Sequence, residues 1–266
     1  MTPTSDRWEQ GNAYERYIGR WSREVAPVFL AWLDRAPDLA WLDVGCGTGA
    51  LCAAILDGCA PASVTGIEPS DGFRRTAAAN LEGKATIVAG DAAEISLPDK
   101  TIDVVVSGLV LNFLPDPGAA LAEMKRLSRP GAAIAAYVWD YSGKMEFLRA
   151  FWDAAITIDP AAATKDEGVR FPLCRPEALR ALFDSAELAE VDATAIDVPT
   201  RFASFDDLWQ PFLAGTGPAP AYAMGLAEPQ RAKLKDTFHS LVPVAADGSI
   251  SLTARAWAIQ GSVRSR

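Results

Sequence analysis

The chain has 266 residues, half of them hydrophobic, which is enough for one large domain with a sizeable buried core. Its formal net charge of −9 and its scattered basic residues oppose binding to nucleic acid, whose phosphates are also negative. Its four cysteines include no Cys-x-x-Cys pair, so the sequence favours free thiols over a zinc site or a disulfide framework.

In chain order, short apolar runs alternate with amphipathic stretches. Residues 7–33 have helical character, with apolar side chains at spacings of three and four. The pattern then predicts strands at 41–44, 64–67, 85–88, 103–106 and 132–139, and helices at 50–56, 71–81 and 117–127. Ser70 is placed to cap the second of these helices, and Pro130-Gly131 predicts a turn. Continuous apolar strands between helices indicate a parallel sheet covered on both faces.

Beyond residue 141 the pattern is less regular. Helices are predicted at 145–156, 175–185, 205–213 and 228–241, strands at 191–198 and 250–259, and loops at 161–171 and 215–221. Nothing marks an inter-domain linker, so we expect a single domain over 1–266. It divides into an N-terminal helical lid (1–38), a ligand-binding core (40–140) and a substrate side with the last two strands (141–266).

No membrane span is expected, because the longest apolar run, residues 132–139, is far too short to cross a bilayer. The N-terminus begins with polar and acidic residues, which is not the pattern of a secretion signal. With the free cysteines, these features predict a cytoplasmic protein.

A glycine-rich loop follows the first predicted strand in "WLDVGCGTGA", residues 41–50. Alternate glycines let the backbone turn tightly and approach a ligand closely, and ligands bind outside the carboxyl ends of parallel strands. Gly45, Gly47 and Ala50 fit the dinucleotide pattern Gly-x-Gly-x-x-Gly/Ala. The loop alone therefore leaves three possibilities open, which are a dinucleotide, a nucleoside without phosphates, and a turn without a ligand.

Acidic residues near the loop help to distinguish between these possible ligands. Asp43 lies two positions before the first glycine, where its charge disfavours a pyrophosphate but favours a ligand with sulfonium and ammonium groups. Glu68, at the end of the second strand, suits ribose hydroxyls and does not discriminate between the ligands. Asp91, after the third strand, is placed to accept a hydrogen bond from an adenine amino group. A dinucleotide becomes the weaker alternative.

Several segments resemble class I S-adenosylmethionine-dependent methyltransferases in order and spacing, chiefly within residues 40–140. They are "WLDVGCGTGAL", "VTGIEPSDGF", "IVAGDAAEISLPDKTIDVVVSGLVLNFLPDP" and "MKRLSRPGAAIAAYVWD". "YERYIGRWSR" and "DGSISLTARAWAIQG", at the two ends of the chain, also resemble bacterial members. The chain looks most like the small-molecule branch that includes ubiquinone- and menaquinone-biosynthesis-type enzymes. The resemblance implies an α/β Rossmann-like three-layer sandwich with a seven-stranded, mostly parallel sheet and one antiparallel strand near the C-terminus.

The resemblance also implies roles for the loop after the first strand. Asp43, Gly45 and Gly47 would line the methionine part of S-adenosylmethionine, and Cys46 would contribute its backbone. Glu68 would bind the ribose hydroxyls.

Further roles follow from the later motifs. Pro69 would lie beside the adenine, and Asp91 with the amide of Ala92 would bind the adenine edge. Ser107 and Gly108 would face the methionine portion.

The N-terminal stripe of Tyr14, Tyr17 and Trp21, with Arg20 and Arg23, has two interpretations. It packs as core with solvated arginines, or it forms a lid with Tyr17 near the methyl group and Arg23 near the methionine carboxylate. Arginine grips a carboxylate with two parallel hydrogen bonds.

The catalytic group and the acceptor are not assigned. Many relatives carry histidines in the segment corresponding to 110–113, whereas this chain has one histidine, His239, in a distant predicted helix. Aromatic side chains beyond residue 141 predict an apolar or aromatic small-molecule acceptor. Methylation at oxygen, nitrogen or carbon stays open. So do a non-catalytic S-adenosylmethionine-binding protein and, less favoured, an NAD(P)-dependent oxidoreductase.

Overall fold

A computed structural model of the chain describes residues 18–214 and 217–265. Its strands are β1 (Ala40–Val44), β2 (Ser63–Ile67), β3 (Thr86–Val88), β4 (Ile102–Gly108), β5 (Ser128–Trp139), β6 (Ala189–Phe202) and β7 (Ile250–Ser262). They form one seven-stranded sheet in the order β3-β2-β1-β4-β5-β7-β6. β1 to β5 pair in parallel, and β7 runs antiparallel to β5. The predicted α/β fold, including the antiparallel C-terminal strand, is confirmed.

Helices occupy much of the described chain outside the strands. They are α1 (Arg20–Leu33), α2 (Ala50–Gly58), α3 (Asp71–Leu81), α4 (Pro117–Leu127), α5 (Glu146–Ile158), α6 (Glu167–Arg170), α7 (Pro176–Ser185), α8 (Phe205–Trp209), α9 (Pro218–Gly225) and α10 (Glu228–Leu241). Ser70 caps α3 as predicted, because its hydroxyl accepts a hydrogen bond from the amide of Phe73 over 3.4 Å. Among the described residues no helix is long and apolar enough to cross a membrane.

The chain divides into two compact units. The first contains the chain up to Trp21, Asp140–Pro172 and Asp197–Arg255, and the second contains Ser22–Trp139, Leu173–Ile196 and the chain from Ala256. In the second unit, strand residues such as Leu42, Val105 and Ile134 are fully buried and belong to one core with Met124 of α4 and Phe183 of α7. This core supports the carboxyl ends of β1 to β4.

The first unit has an aromatic core. Phe151 stacks on Phe212 with ring centroids 4.5 Å apart, and Phe238 meets both rings edge-on. Trp152 and Trp209 are also buried. Phe151, Trp152, Trp209 and Phe212 were expected to supply surface for an acceptor, and they are mainly packed against one another and against Phe238.

Two segments differ from the predicted loops. Residues 161–171 form a 3₁₀-helix (Pro160–Lys165) and α6, because buried acids anchor them, with Asp166 accepting from Arg149 and from the Gly168 amide. The second predicted loop, 215–221, runs into α9, which starts at Pro218 because proline suits the first helical turn.

Strand and helix boundaries also shift at two places. β5 begins at Ser128, so the predicted turn at Pro130-Gly131 lies inside the strand, where Gly131 has a φ of 81° and the β4–β5 register is irregular. The predicted N-terminal helix is observed from Arg20, and its first part, up to residue 17, lies outside the described residues.

Candidate functional site

The glycine-rich loop leaves β1 through backbone conformations that favour glycine. Gly45, Gly47 and Gly49 have φ values of 78°, 54° and 87°. A Cβ atom on Gly45 would lie 2.6 Å from the side chain of Val110. The loop is fastened to β2, since the amides of Gly45 and Cys46 both donate to the carbonyl of Ile67, over 2.8 and 3.0 Å. It is therefore a built turn at the carboxyl end of the sheet.

Asp43, at the end of β1, is 1% exposed, and only one of its two carboxylate oxygens has a hydrogen-bond partner. Its Oδ2 accepts from the thiol of Cys52 over 3.3 Å, whereas its Oδ1 is buried and has no hydrogen-bond partner. Burial and, to a smaller extent, the nearby charge of Glu68 raise the pKa of Asp43 to about 7, although the Cys52 hydrogen bond opposes the rise. A buried, unpaired carboxylate oxygen is what a cationic ligand group would complete.

Cys52 of α2 was not among the predicted site residues, and only its hydrogen bond to Asp43 shows its importance. A hydrogen bond with Cys46, burial and the negative Asp43 all raise the pKa of its thiol, so Cys52 stays a protonated donor. Both backbone groups of Cys46 are used within the loop, since its carbonyl accepts from Gly49 over 2.9 Å and its amide donates to Ile67.

Glu68, directly after β2, holds the loop from the other side. Its Oε2 accepts from the Gly47 amide over 3.0 Å, and its Oε1 accepts from the Ser70 amide over 2.8 Å. Burial raises the pKa of Glu68, while these two amides and Arg74 oppose the rise. The structure thus joins two predicted site residues, Gly47 and Glu68, through one carboxylate.

The turn after β4 lies beside this loop. Ser107 is fully buried and donates from its hydroxyl to the carbonyl of Val44 over 2.9 Å, which ties β4 to β1. Gly108 has no room for a side chain, because a Cβ there would lie 2.6 Å from the Oη atom of Tyr137. Leu109 follows with a φ of 64°, so the chain turns sharply at this edge.

The predicted adenine residues follow the two outer strands. Asp91 is exposed, and its Oδ1 accepts from the Ala93 amide over 2.9 Å. Ala92 is buried. Pro69 is exposed, and its carbonyl accepts from the guanidinium of Arg74 over 2.6 Å. Because β2 and β3 are parallel neighbours, these residues lie at the same edge of the sheet as Asp43 and Glu68.

Of the two predicted lid residues, the structure describes only Arg23. Tyr17 lies outside the described residues. Arg23 is exposed on α1 and lines an open groove of about 960 Å³ between α1 and α2, together with Thr48, Gly49 and Asn80. It therefore lies near the end of the glycine-rich loop, and its contact with the methionine carboxylate stays a prediction.

Two further side chains belong to this region although no pattern singled them out. Asn112, in the 3₁₀-helix Leu111–Phe113 after β4, has a buried Oδ1 without a hydrogen-bond partner. Tyr137 packs under the Gly108 turn and against Phe29, with ring centroids 4.8 Å apart. His239 is exposed on α10 and stacks on Phe205 at 4.2 Å, in the first unit.

Comparison with known proteins gives the same class as this geometry. A family described as "Methyltransferase domain" matches residues 42–136. An uncharacterized methyltransferase of Geobacillus sp. (strain WCH70) is 30% identical over 154 residues, which cover 55% of this chain and 71% of that protein. The fold is similar to that of the YcgJ protein of Bacillus subtilis, with a TM-score of 0.58 and 15% identity over 93% of this chain and 100% of the other.

Two relatives carry more specific names. The malonyl-[acyl-carrier protein] O-methyltransferase of Pseudescherichia vulneris is 32% identical over 132 residues, covering 50% of this chain and 51% of that protein. The nocamycin O-methyltransferase of Saccharothrix syringae is 32% identical over 117 residues, covering 42% of each chain. The chain spans about half or less of the length of these two relatives.

The sheet order, the glycine-rich loop and the acids at the strand ends define a Rossmann-like methyltransferase fold. With the matches above, the chain belongs to the class I S-adenosylmethionine-dependent methyltransferases.

Proposed function

We propose that this methyltransferase transfers the methyl group of S-adenosylmethionine to an apolar or aromatic small-molecule acceptor. The observation that carries the proposal is the buried, unpaired Oδ1 of Asp43 beside a loop shaped by positive-φ glycines. A dinucleotide phosphate would gain nothing from this acid, whereas an ammonium or sulfonium group would be attracted to it. The nocamycin-acting relative supports a small-molecule acceptor.

Different site residues would bind different parts of the cofactor. Asp43, Gly45 and Gly47 would hold the methionine part, and Glu68 would bind the ribose with the oxygen lone pairs not used by the Gly47 and Ser70 amides. Cys46 would shape the loop through its backbone contacts, and its side chain would carry no chemistry.

The remaining assignments concern the two ends of the cofactor. Asp91, Ala92 and Pro69 would surround the adenine, and Gly108, held by the fully buried Ser107, would bring the backbone close to the methionine portion. Arg23 and Tyr17 would close the site as a lid.

The cofactor supplies a methyl group already activated on a positive sulfur. This chain then has to align the acceptor and exclude water, because an in-line displacement with a good leaving group needs little else. A general base is required only for an acceptor that must lose its proton early. No residue is assigned that role.

A cytoplasmic location and a single methyltransferase domain over 1–266 complete the proposal. Cys46, Cys52, Cys59 and Cys174, all within the described residues, form no disulfide, which fits a reducing compartment.

The test is isothermal titration of the full chain with S-adenosylhomocysteine and, separately, with NAD(H). We expect S-adenosylhomocysteine to bind and NAD(H) not to bind. We also expect Glu68→Gln to weaken the binding of S-adenosylhomocysteine at least about tenfold, because one of the two carboxylate oxygens becomes an NH₂ group that cannot accept from the backbone N–H of Gly47 or Ser70. Glu24→Gln, an exposed change on α1, is the matched control. NAD(H) binding alone would overturn the proposal.

A second measurement separates an enzyme from a non-catalytic binding protein. Radiolabelled S-adenosylmethionine is incubated with the protein and a broad panel of apolar and aromatic hydroxyl, amine and carboxylate compounds. Label transfer to a panel member supports the proposal. Tight cofactor binding with no transfer to any of them supports the non-catalytic alternative.

A further inference from the structure

Nine buried side-chain polar atoms of the described residues have no hydrogen-bond partner. Five of them belong to five separate side chains, namely Trp41, Asp43, Asn112, Trp139 and Arg149. The other four belong to the first unit and are Nε and Nη2 of Arg20, Nε1 of Trp21 and Oγ1 of Thr200. Natural proteins seldom bury unpaired donors, so a cluster of them calls for an explanation.

Arg20 and Trp21 both pack against Phe202 of β6. Trp21 meets Phe202 edge-on with ring centroids 5.6 Å apart, and the guanidinium of Arg20 lies 4.4 Å from the Trp21 ring and 4.8 Å from the Phe202 ring. Thr200 and Phe202 are two residues apart on β6, so their side chains point to the same face of the strand. Both are buried, whereas Arg201 between them is exposed.

Neighbouring contacts fix the orientation of the Arg20 guanidinium. Its Nη1 pairs with Oδ1 of Asp207 at 3.5 Å, and the Oδ2 of Asp207 accepts from the Ala203 amide over 2.9 Å at the start of α8. The rings of Trp21 and Phe202 pack against the guanidinium group and restrict its orientation. The edge formed by Nε and Nη2 is left unpaired, and this is the edge that takes a carboxylate through two parallel hydrogen bonds.

We propose that Arg20, Trp21 and Thr200 form a binding site for the carboxylate group of a small apolar or aromatic molecule. The donors match such a group, because three nitrogen donors and one hydroxyl have no hydrogen-bond partner among the described residues, while Asp207 pairs with Nη1 only. The flanking Trp21 and Phe202 rings suit an apolar body next to the carboxylate. The four atoms are enclosed, so entry requires side-chain movement, and the Arg20 side chain, 32% exposed, lies closest to solvent.

The test uses matched pairs of probes on the full chain saturated with S-adenosylhomocysteine. Benzoate, cinnamate and octanoate are titrated beside benzamide, cinnamamide and octanamide. We expect at least one carboxylate to bind about tenfold or more tightly than its amide, because charge-assisted bidentate hydrogen bonds are the stronger kind. Arg20→Gln should remove the preference, Arg20→Lys should keep part of it, and Arg201→Gln should leave it unchanged.

Thr200→Val provides a readout that a purely structural role would not give. Replacing a buried hydroxyl that has no partner with a methyl group of the same shape should leave the unfolding midpoint unchanged or raised. The same change should weaken the preferred carboxylate about threefold or more. A stable variant that has lost affinity locates a ligand contact, whereas unchanged affinity contradicts the proposal.

The remaining outcomes are also decisive. No preference for any carboxylate over its amide overturns the carboxylate site. A loss of S-adenosylhomocysteine affinity in Arg20→Gln equal to the loss for the carboxylate makes Arg20 a cofactor contact, which overturns the inference and leaves the proposed function standing. Wild-type protein that does not bind S-adenosylhomocysteine contradicts the proposed function itself.

Discussion

Asp43 and Cys52 are joined by a hydrogen bond in which the Cys52 thiol donates to Oδ2 of Asp43 over 3.3 Å. Asp43 is 1% exposed and Cys52 is fully buried. The thiol satisfies one oxygen of the carboxylate and leaves the other without a partner. Cys52 therefore lowers the pKa of Asp43 without competing for the oxygen that we assign to the cofactor.

Removing this donor should weaken cofactor binding in a pH-dependent way. In Cys52→Ala the pKa of Asp43 rises further above about 7, so at pH 6 more of the carboxyl is protonated and must lose its proton to bind an ammonium group. We expect S-adenosylhomocysteine to bind about tenfold more weakly at pH 6, which corresponds to a pKa rise of about one unit, and with a smaller loss at pH 8.5.

Titrations at both pH values measure this effect. Cys52→Ser keeps a donor and should restore most of the affinity, while Cys59→Ala, a change at the end of α2, is the control. An equal loss at both pH values would show that Cys52 acts only through packing.

The raised pKa of Asp43 also makes stability depend on pH. The folded-state pKa is about 7 against 3.8 for the free side chain, so the folded protein holds the proton over this range and the unfolded chain does not. Stability is therefore fully present below about pH 4 and is lost as pH rises through 7, by an amount of about 4 kcal/mol at most.

Urea unfolding at pH 5 and pH 8.5 checks this sign. Asp43→Asn, which cannot titrate, should show a smaller loss of unfolding free energy between the two pH values than the wild type. A wild-type loss that is unchanged in Asp43→Asn would place the titrating group elsewhere.

The sequence predicted the sheet and the loop because both depend on local patterns. The run from Trp41 to Val44 is apolar except for Asp43, and burial on both faces of a central strand requires such a run. The glycines at 45, 47 and 49 need positive φ, which few other residues tolerate. Such features are visible without knowing any long-range contact.

Tertiary partners were not predictable in the same way. Cys52 is nine positions from Asp43, and nothing in its surroundings distinguishes it from an ordinary buried thiol. The cluster of Arg20, Trp21 and Thr200 joins residues about 180 positions apart, which no spacing rule detects. Residues 161–171 were predicted to be a loop because their polarity concealed that Asp166 and Glu167 are buried against Arg149 and Trp152.

The tight turn at Gly45 gives a third prediction, which concerns sterics. In Gly45→Ala the new Cβ would lie 2.6 Å from Val110 at a φ of 78°, so both packing and backbone are strained. We expect the free energy of unfolding to fall by about 1–3 kcal/mol and S-adenosylhomocysteine affinity to fall at least about tenfold.

Gly58→Ala is the matched control for this change. A Cβ on Gly58, in α2, would meet no atom within 4 Å. Alanine should therefore leave binding unchanged and stabilise the fold by about 0.4–1 kcal/mol. Similar effects of the two changes on urea unfolding and on titration would contradict the steric argument.

Glu167 of α6 gives the last prediction, within the first unit. Its carboxylate accepts from the indole Nε1 of Trp152 and is 2% exposed, and burial raises its pKa to about 7 from 4.5. The folded state therefore holds a proton that the unfolded chain releases, so this side chain's contribution is present below about pH 4.5 and is lost as pH rises through 7.

Glu167→Gln keeps an oxygen that accepts from Trp152 but does not titrate. We expect the variant to match the wild type at pH 5 and to exceed its unfolding free energy by about 1–3 kcal/mol at pH 8.5, because the wild-type carboxylate is then charged in a buried site. Urea unfolding at the two pH values measures this difference. Glu228→Gln, a change at an exposed position of α10, should show no gain in unfolding free energy at pH 8.5. A Glu167→Gln variant less stable than the wild type at pH 8.5 would mean that Glu167 is ionised in the folded state and paired with a cation, and Arg149 is the cation that favours its charged form.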